Sequence, residues 1–349
     1  MKKNMNIINN DLQWQIATGD ALTILKKMPD SFVQTSITSP PYYKLRDYEH
    51  EKQIGQEKNP KEYIDNMVEI YKEVRRVLRK DGTCAINIGD KYVVKKEYKD
   101  LGLKNKDMMG LPWELAASLR KDGWYLRQMY PWVKCDAIPE NVNDRPNTSI
   151  EYVILISKSQ KYYFDMEGAK ECLGIKRNWR NGDGLLFLDL PKEKTKHSHC
   201  APMPQELVKV FAKTLLSEQG CCSICRTPIK RFVHKERIKG KVEFKGKSKE
   251  YYNSNSKNST TSLNTSIANK DKYVKTKTLK WDFNCDCKDN SRQKQIILDP
   301  FSGSGTTGIV SMSLSHKYIG IELNSKYANY SKKRLKEHQE EINQDIFPI

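Results

Sequence analysis

The chain has 349 residues, enough for one large domain with an insert or two modest domains, and its 61 Lys and Arg against 43 Asp and Glu leave a formal charge of +18. That excess favours a polyanionic partner, with a lysine-rich compositional bias as the bland alternative. No run of about 18 apolar residues occurs, and Met1-Lys2-Lys3-Asn4 opens no apolar signal core, which argues against a membrane span and leads us to expect a cytoplasmic protein.

Residues 12–37 alternate apolar segments around Asp20 and Met28-Pro29-Asp30, the pattern of strand, short helix and strand. The second apolar segment, with Phe32, Val33 and Ile37, runs into Thr38-Ser39-Pro40-Pro41-Tyr42. Pro40 and Pro41 fix φ and remove two backbone donors, so this turn is rigid and cannot continue the strand. It offers acceptors from Ser39 Oγ and the Ser39 and Pro40 carbonyls beside the aromatic face of Tyr42, which suits gripping an exocyclic NH2 on a flat ring. Asn59, Pro60 and Glu62 predict a helix start, with Asn as cap and Pro in the first turn. Ile64, Met67, Val68, Tyr71, Val74, Val77 and Leu78 continue it at helical spacing to an end at Lys80-Asp81-Gly82, and Thr83 to Ile88 reads as a strand. The alternation continues through Pro112–Lys121, Tyr125–Val133 and Tyr152–Ser157 to a helix over Pro204–Leu216, implying an α/β sheet.

Nine cysteines in a reducing compartment argue for thiols or metal rather than disulfides. Cys84, Cys135, Cys172 and Cys200 are scattered and read as small buried hydrophobes. Cys221, Cys222 and Cys225 cluster, as do Cys285 and Cys287, on either side of a polar stretch. Ile229 to Glu250 carries nine Lys and Arg against three Glu, and Tyr251 to Lys280 is mostly Ser, Asn, Thr, Lys and Tyr, so residues 229–280 read as a mobile loop. Cys222, Cys225, Cys285 and Cys287 supply four thiolates, enough for a closed tetrahedral zinc site; free thiols are the alternative, and Cys221 could replace Cys222.

Ile296-Ile297-Leu298 is a further strand-like run, followed by Asp299-Pro300-Phe301-Ser302-Gly303-Ser304-Gly305 and a helix beginning near Thr306. Glycines at such a turn let the backbone approach a ligand closely, and the helix start favours a polar or anionic group. The next strand, Tyr318 to Ile321, ends in Glu322, where a doubly wound sheet places an acid for a ribose hydroxyl pair; a solvated strand-end charge is the alternative. The combination predicts a nucleoside-cofactor site.

Taken with Thr18-Gly19-Asp20-Ala21-Leu22, Ile54-Gly55, Asn87-Ile88-Gly89-Asp90 and Gly123-Trp124-Tyr125-Leu126-Arg127, these stretches make the chain resemble the beta group of amino-methylating DNA methyltransferases. In that group the Ser/Asp/Asn-Pro-Pro-Tyr motif precedes the Phe-x-Gly-x-Gly motif, as it does here, and the resemblance covers most of residues 12–215 and 292–336. It implies a doubly wound, mostly parallel α/β sheet of the permuted Rossmann-like methyltransferase type with a small Cys-rich insert. The expected parts are residues 1–215 with target recognition in about 135–200, the insert at 216–291, and a cofactor-binding part at 292–349. It implies S-adenosyl-L-methionine as cofactor, held by Asp20 at the adenine, by Asp299, Phe301, Gly303, Gly305, Thr306 and Glu322, and by Met203 near the methionine end. Ser39, Pro40, Pro41 and Tyr42 become catalytic, with Tyr42 stacking on a base flipped out of duplex DNA. Ser at position 39 favours N4 of cytosine, with N6 of adenine as the alternative, in a restriction-modification system with a cognate endonuclease. Asn141, Asn143, Arg145, Asn147, Arg177, Trp179, Arg180 and Asn181 are candidate DNA contacts, or else ordinary polar loops. Whether the enzyme is a monomer or a dimer is not specified. A non-catalytic nucleic-acid-binding zinc protein would explain the charge and cysteines, but not the two motifs together.

Overall fold

The computed structural model describes residues 9, 11–48, 50–94, 98–134, 140–173, 186–188, 203–239 and 272–346. β1 (Trp14–Thr18) leads through Gly19 into α1 (Ala21–Leu25), which Asp20 caps by accepting from the Thr23 amide at 2.8 Å. β2 (Val33–Thr38) is buried at every position, as a central strand covered on both faces must be. α2 (Pro60–Val77) starts on the Asn59 cap, whose side chain accepts from Glu62 N at 2.9 Å. It ends before the expected Lys80-Asp81-Gly82. Leu78 is fully buried and extended, and pairs with Val33, so β3 (Leu78–Ile88) begins where the helix stops. Strand pairing there outweighs the helical periodicity that Leu78 continues.

α3 (Leu111–Lys121), β4 (Tyr125–Lys134), β5 (Ile150–Ser157), α4 (Met166–Leu173), β6 (Leu186–Leu188) and α5 (Gln205–Leu215) follow. Then come β7 (Cys221–Cys222), β8 (Lys230–Lys239), β9 (Lys272–Asp282) and β10 (Arg292–Gln293). The chain finishes with β11 (Ile296–Asp299), α6 (Thr306–Ser313), β12 (Lys317–Glu322) and α7 (Ser325–Ile346).

Eight strands form one sheet in the order β1-β12-β11-β2-β3-β5-β4-β6, with β5 alone reversed. Alternate residues enter different cores. Ile86, Ile154 and Ile156 pack with Tyr71, Val74, Leu115 and Leu119 from α2 and α3, whereas Ala85, Val153 and Leu155 pack with Val208, Phe211 and Leu215 from α5. Helices therefore cover both faces, as expected of a doubly wound sheet.

β11 and β12 insert between β1 and β2, which are neighbours in sequence. Leu298 thereby pairs with Ser36, and Thr38 Oγ1 donates to Asp299 Oδ1 at 2.6 Å across 261 residues of chain. The carboxyl ends of β1, β12, β11, β2 and β3 thus converge on one crevice, where ligands of such sheets bind.

Residues 230–239 and 272–282 correct the expectation of a mobile loop over 229–280. β8 and β9 pair antiparallel from Lys230↔Asp282 to Lys239↔Lys272. Their polarity misled because the pair is held by backbone hydrogen bonds and one anchor rather than by an apolar face. Arg231 stacks on Trp281 at 4.6 Å and forms ion pairs with Asp165, at 2.9 Å, and with Glu171 and Glu218, docking the hairpin on α4 and the end of α5. Residues 240–271 lie outside the described residues. Among the described residues, no helix is long and apolar enough to cross a membrane.

Candidate active site

At the carboxyl ends of these strands lies a cavity of about 390 Å³, within the range of small-molecule sites. Ser39, Pro40, Pro41 and Tyr42 line it together with Asp20, Met203, Asp299, Phe301, Gly303, Thr306 and Glu322. Two turns separated by about 260 residues in sequence therefore share one chamber. Gly305 does not line it. With φ +80°, Gly305 opens α6, and a Cβ there would meet Ser331 Oγ at 2.4 Å, so close packing of the turn on α7 demands this glycine. Gly303, at φ +52°, has nearly open space on its Cβ side and leaves its backbone approachable.

Two acids sit on the Gly303 side of the cavity, Asp299 buried and Glu322 half-buried. Glu322, at the end of β12, accepts from Gly303 N at 2.8 Å and Asn324 N at 2.9 Å. Burial raises its pKa against those amides. Asp299 Oδ1 accepts from Thr38 Oγ1 and from Phe301 N at 3.0 Å, yet burial outweighs both and pushes its carboxyl up to about 6.

On the other side the Ser39-Pro40-Pro41-Tyr42 turn is held rigidly. Tyr63 donates to the Pro41 carbonyl at 2.9 Å, and the Tyr42 ring lies so close to Gly89 that a Cβ there would approach Cε2 at 2.9 Å. Ser39 Oγ donates to Tyr42 Oη at 3.3 Å, and Tyr42 in turn donates to Glu151 Oε2 at 2.7 Å. Asn87 Nδ2 donates to the same phenol at 2.8 Å and to Glu151 Oε2 at 2.9 Å, while Lys134 forms an ion pair with Glu151 Oε1. Burial, then the Glu151 charge, raises the Tyr42 phenol well above its ordinary value, so it remains a donor. Asn87 Oδ1 and Trp132 Nε1 are buried without a protein partner, one an acceptor and one a donor, and both residues line this side of the chamber. Orphans of that kind call for a ligand or water.

Asn87, Trp132, Lys134 and Glu151 escaped the sequence reading as site residues. Asn87 stood within a recognised stretch. Glu151 reads only as an acid at the start of an apolar run. The signal is the antiparallel register that sets Glu151 opposite Trp132 and Asn87 opposite Val153.

The candidate DNA contacts divide. Arg145 is engaged within its own loop, ion-paired to Glu140 and 3.7 Å over the Tyr92 ring, and Asn147 Oδ1 accepts from Glu140 N at 2.8 Å. Arg177, Trp179, Arg180, Asn181, Cys135 and Cys200 lie outside the described residues. The ligand atoms of Cys222, Cys225, Cys285 and Cys287 lie within 4.8 Å of one another. Cys221 Sγ points instead to the Gln293 carbonyl, at 3.5 Å.

The DNA methylase family model, for N6 and N4 methyltransferases, matches residues 33–223 and 249–333. The chain is 30% identical to the Type II methyltransferase M.Cfr9I of Citrobacter freundii, over 91% of this chain and 86% of that protein. It is also 30% identical to the Type II methyltransferase M.SmaI of Serratia marcescens, over 92% and 90% respectively. In fold it is similar to the PvuII DNA methyltransferase (cytosine-N4-specific), with a TM-score of 0.58 at 16% identity over 95% of this chain and 92% of that one.

Proposed function

The chain belongs to the N6/N4 family of DNA methylases, the amino-methyltransferases of restriction-modification type, and within it we propose that it methylates the exocyclic N4 amine of cytosine in duplex DNA. The observation that carries this reading is the directed hydrogen-bond chain from Ser39 through Tyr42 to Glu151. An exocyclic amine is a poor nucleophile because its lone pair is delocalised into the ring, and a partner that accepts its protons localises that pair. Ser39 can donate or accept. With its proton committed to Tyr42, and the Tyr42 proton to Glu151, Ser39 Oγ presents lone pairs to the chamber. The Pro40 carbonyl is the second acceptor, and the rigid turn supplies orientation.

The cofactor is S-adenosyl-L-methionine, which supplies, when bound, an electrophilic methyl group on a sulfonium. The residues present fit it. Glu322 keeps one lone pair on each carboxylate oxygen for a ribose hydroxyl pair, Asp20 closes the adenine side, and Gly303 admits close backbone approach. Asp299, buried with a raised pKa, fits an ammonium whose charge offsets the burial. Phe301, Met203 and Thr306 complete the enclosure. The target base must leave the helix to reach Ser39, where the rigid wall of Tyr42 and the unpaired Asn87 Oδ1 and Trp132 Nε1 suit a flat ring with polar edges.

Cytosine is favoured by Ser at position 39, through the family resemblance. We assign target recognition to residues 135–200, a cognate endonuclease as the partner activity, and the cytoplasm, where thiols stay reduced, as the working compartment. The test is transfer of labelled methyl from S-adenosyl-L-methionine to duplex DNA, followed by digestion to nucleosides and mass analysis. N4-methylcytosine, absent with Ser39→Ala, is the expected product; N6-methyladenine as sole product would refute the base assignment.

A further inference from the structure

We infer that Cys222, Cys225, Cys285 and Cys287 bind one structural zinc ion, which fastens the root of the β8–β9 hairpin to the amino-terminal edge of the sheet. Four sulfurs from segments 60 residues apart lie within 4.8 Å, and a tetrahedral Zn–S₄ centre requires sulfurs about 3.8 Å from one another, so only a small contraction is needed. The first pair sits on a knuckle. Cys222 N donates to Thr227 O at 3.0 Å, Arg226 N donates to Cys222 O at 2.9 Å, and Arg226 takes φ +58°, so the chain turns sharply and aims both sulfurs to one side. Cys221 faces away, which settles the ligand left open by the doublet in the sequence.

The second pair lies on a segment with little else to hold it. Residues 283–291 form no helix or strand, and Cys285 and Cys287 are half-buried while Asp286, Lys288 and Asp289 flank them. Two residue pairs between β7 and β10 and the contact of Ser223 N with Ser291 O, at 3.0 Å, join this segment to the knuckle. A metal tetrad would cross-link the two segments. Arg79 donates to the Cys225 carbonyl at 2.6 Å, and Arg226, next to Cys225, donates to the Phe32 carbonyl at 3.2 Å, so both arginines tie the knuckle to the sheet.

Position separates this site from the methylation chamber. The knuckle is tied to Phe32, just before β2, and to Arg79, at the start of β3, whereas Ser39 and Asn87 stand at the far ends of those strands. Along β2, from Phe32 to Ser39, the chain rises by about 23 Å. With four thiolates the tetrad is closed, leaving no position for substrate. The role is structural, and it does not depend on which base is methylated.

The test uses the full chain purified without chelator. Elemental analysis should give about one zinc per chain, and cobalt substitution should give the intense thiolate charge-transfer bands of a tetrahedral site. Cys285→Ser should lose both signals, whereas Cys221→Ser should keep them; the cobalt spectrum of the unsubstituted chain decides the matter if Cys285→Ser fails to fold. Removing zinc should raise protease sensitivity within 283–291 while binding of S-adenosyl-L-methionine stays within about threefold, since the tetrad and the chamber lie at opposite ends of β2 and β3. Iron in place of zinc, oxidised cysteine pairs, metal below about a fifth of an equivalent, or metal retained by Cys285→Ser would overturn the inference.

Discussion

Replacing Asp299 with Asn should stabilise the cofactor-free protein while weakening cofactor binding. In the folded chain, burial lifts this carboxyl from 3.8 to about 6. Between those values the folded state holds the proton more tightly than the unfolded state, so the stability associated with it is complete below about pH 4 and is lost as pH rises through 6. A displacement of about two pKa units corresponds to about 3 kcal/mol at pH 8. Asn carries no charge, and its amide oxygen can still accept from Thr38 Oγ1 and Phe301 N, as Asp299 Oδ1 does now. Urea unfolding without cofactor should therefore show the variant about 2–3 kcal/mol more stable at pH 8 and close to the parent near pH 4, with a midpoint difference that grows between those limits. Calorimetry should show S-adenosyl-L-methionine binding weakened about 10- to 100-fold by loss of a charge-assisted contact, and the parent's own affinity should fall as pH drops below 6. A variant less stable than the parent at pH 8, or a stability difference that ignores pH, would refute the reasoning.

Ser39→Ala should lower kcat about 100-fold or more while leaving the cofactor dissociation constant unchanged, as single-turnover methyl transfer and calorimetry would show. Tyr42→Phe removes the group that takes the Ser39 proton and should cost about tenfold in kcat, the worth of one hydrogen bond, with little change in KM for the cofactor. Gly305→Ala combines an unfavourable φ of +80° with a Cβ 2.4 Å from Ser331 Oγ. It should destabilise by about 2–4 kcal/mol, and pairing it with Ser331→Gly should recover part of the loss in a urea titration.

What was legible in the sequence was local chemistry. Asn59-Pro60 announces its helix, Ser39-Pro40-Pro41-Tyr42 its turn, and the glycines after Asp299 theirs, because each depends on φ preferences and donors within a few residues. The shared chamber was legible only through motif order. Glu151 and Lys134 were not, because their roles arise from the β4–β5–β3 register, which no local pattern encodes. The β8–β9 hairpin was missed for a related reason: its stability rests on Arg231 reaching Asp165, Glu171 and Glu218, while its own strands carry the composition of a solvated loop.

The pairing of Ser39 with Glu151 also bears on why serine rather than aspartate suits position 39 of this chain. Tyr42 has one proton and lies within hydrogen-bond reach of both positions, at 3.3 Å from Ser39 Oγ and 2.7 Å from Glu151 Oε2. With serine, that proton satisfies Glu151 and serine supplies its own. With aspartate at 39, two carboxylates would compete for the Tyr42 proton and face each other in a chamber where, among the described residues, Lys134 is the one cation paired with Glu151. Ser39→Asp alone should therefore lose activity about as severely as Ser39→Ala. Glu151→Gln, which removes the second charge and adds a donor, should restore about tenfold of it in the double variant, a coupling of about 1.4 kcal/mol. The measurement is a double-mutant cycle on kcat with cofactor affinity followed in parallel. If Ser39→Asp alone matches the parent, or the two substitutions are additive, the proton chain does not govern how position 39 meets its substrate.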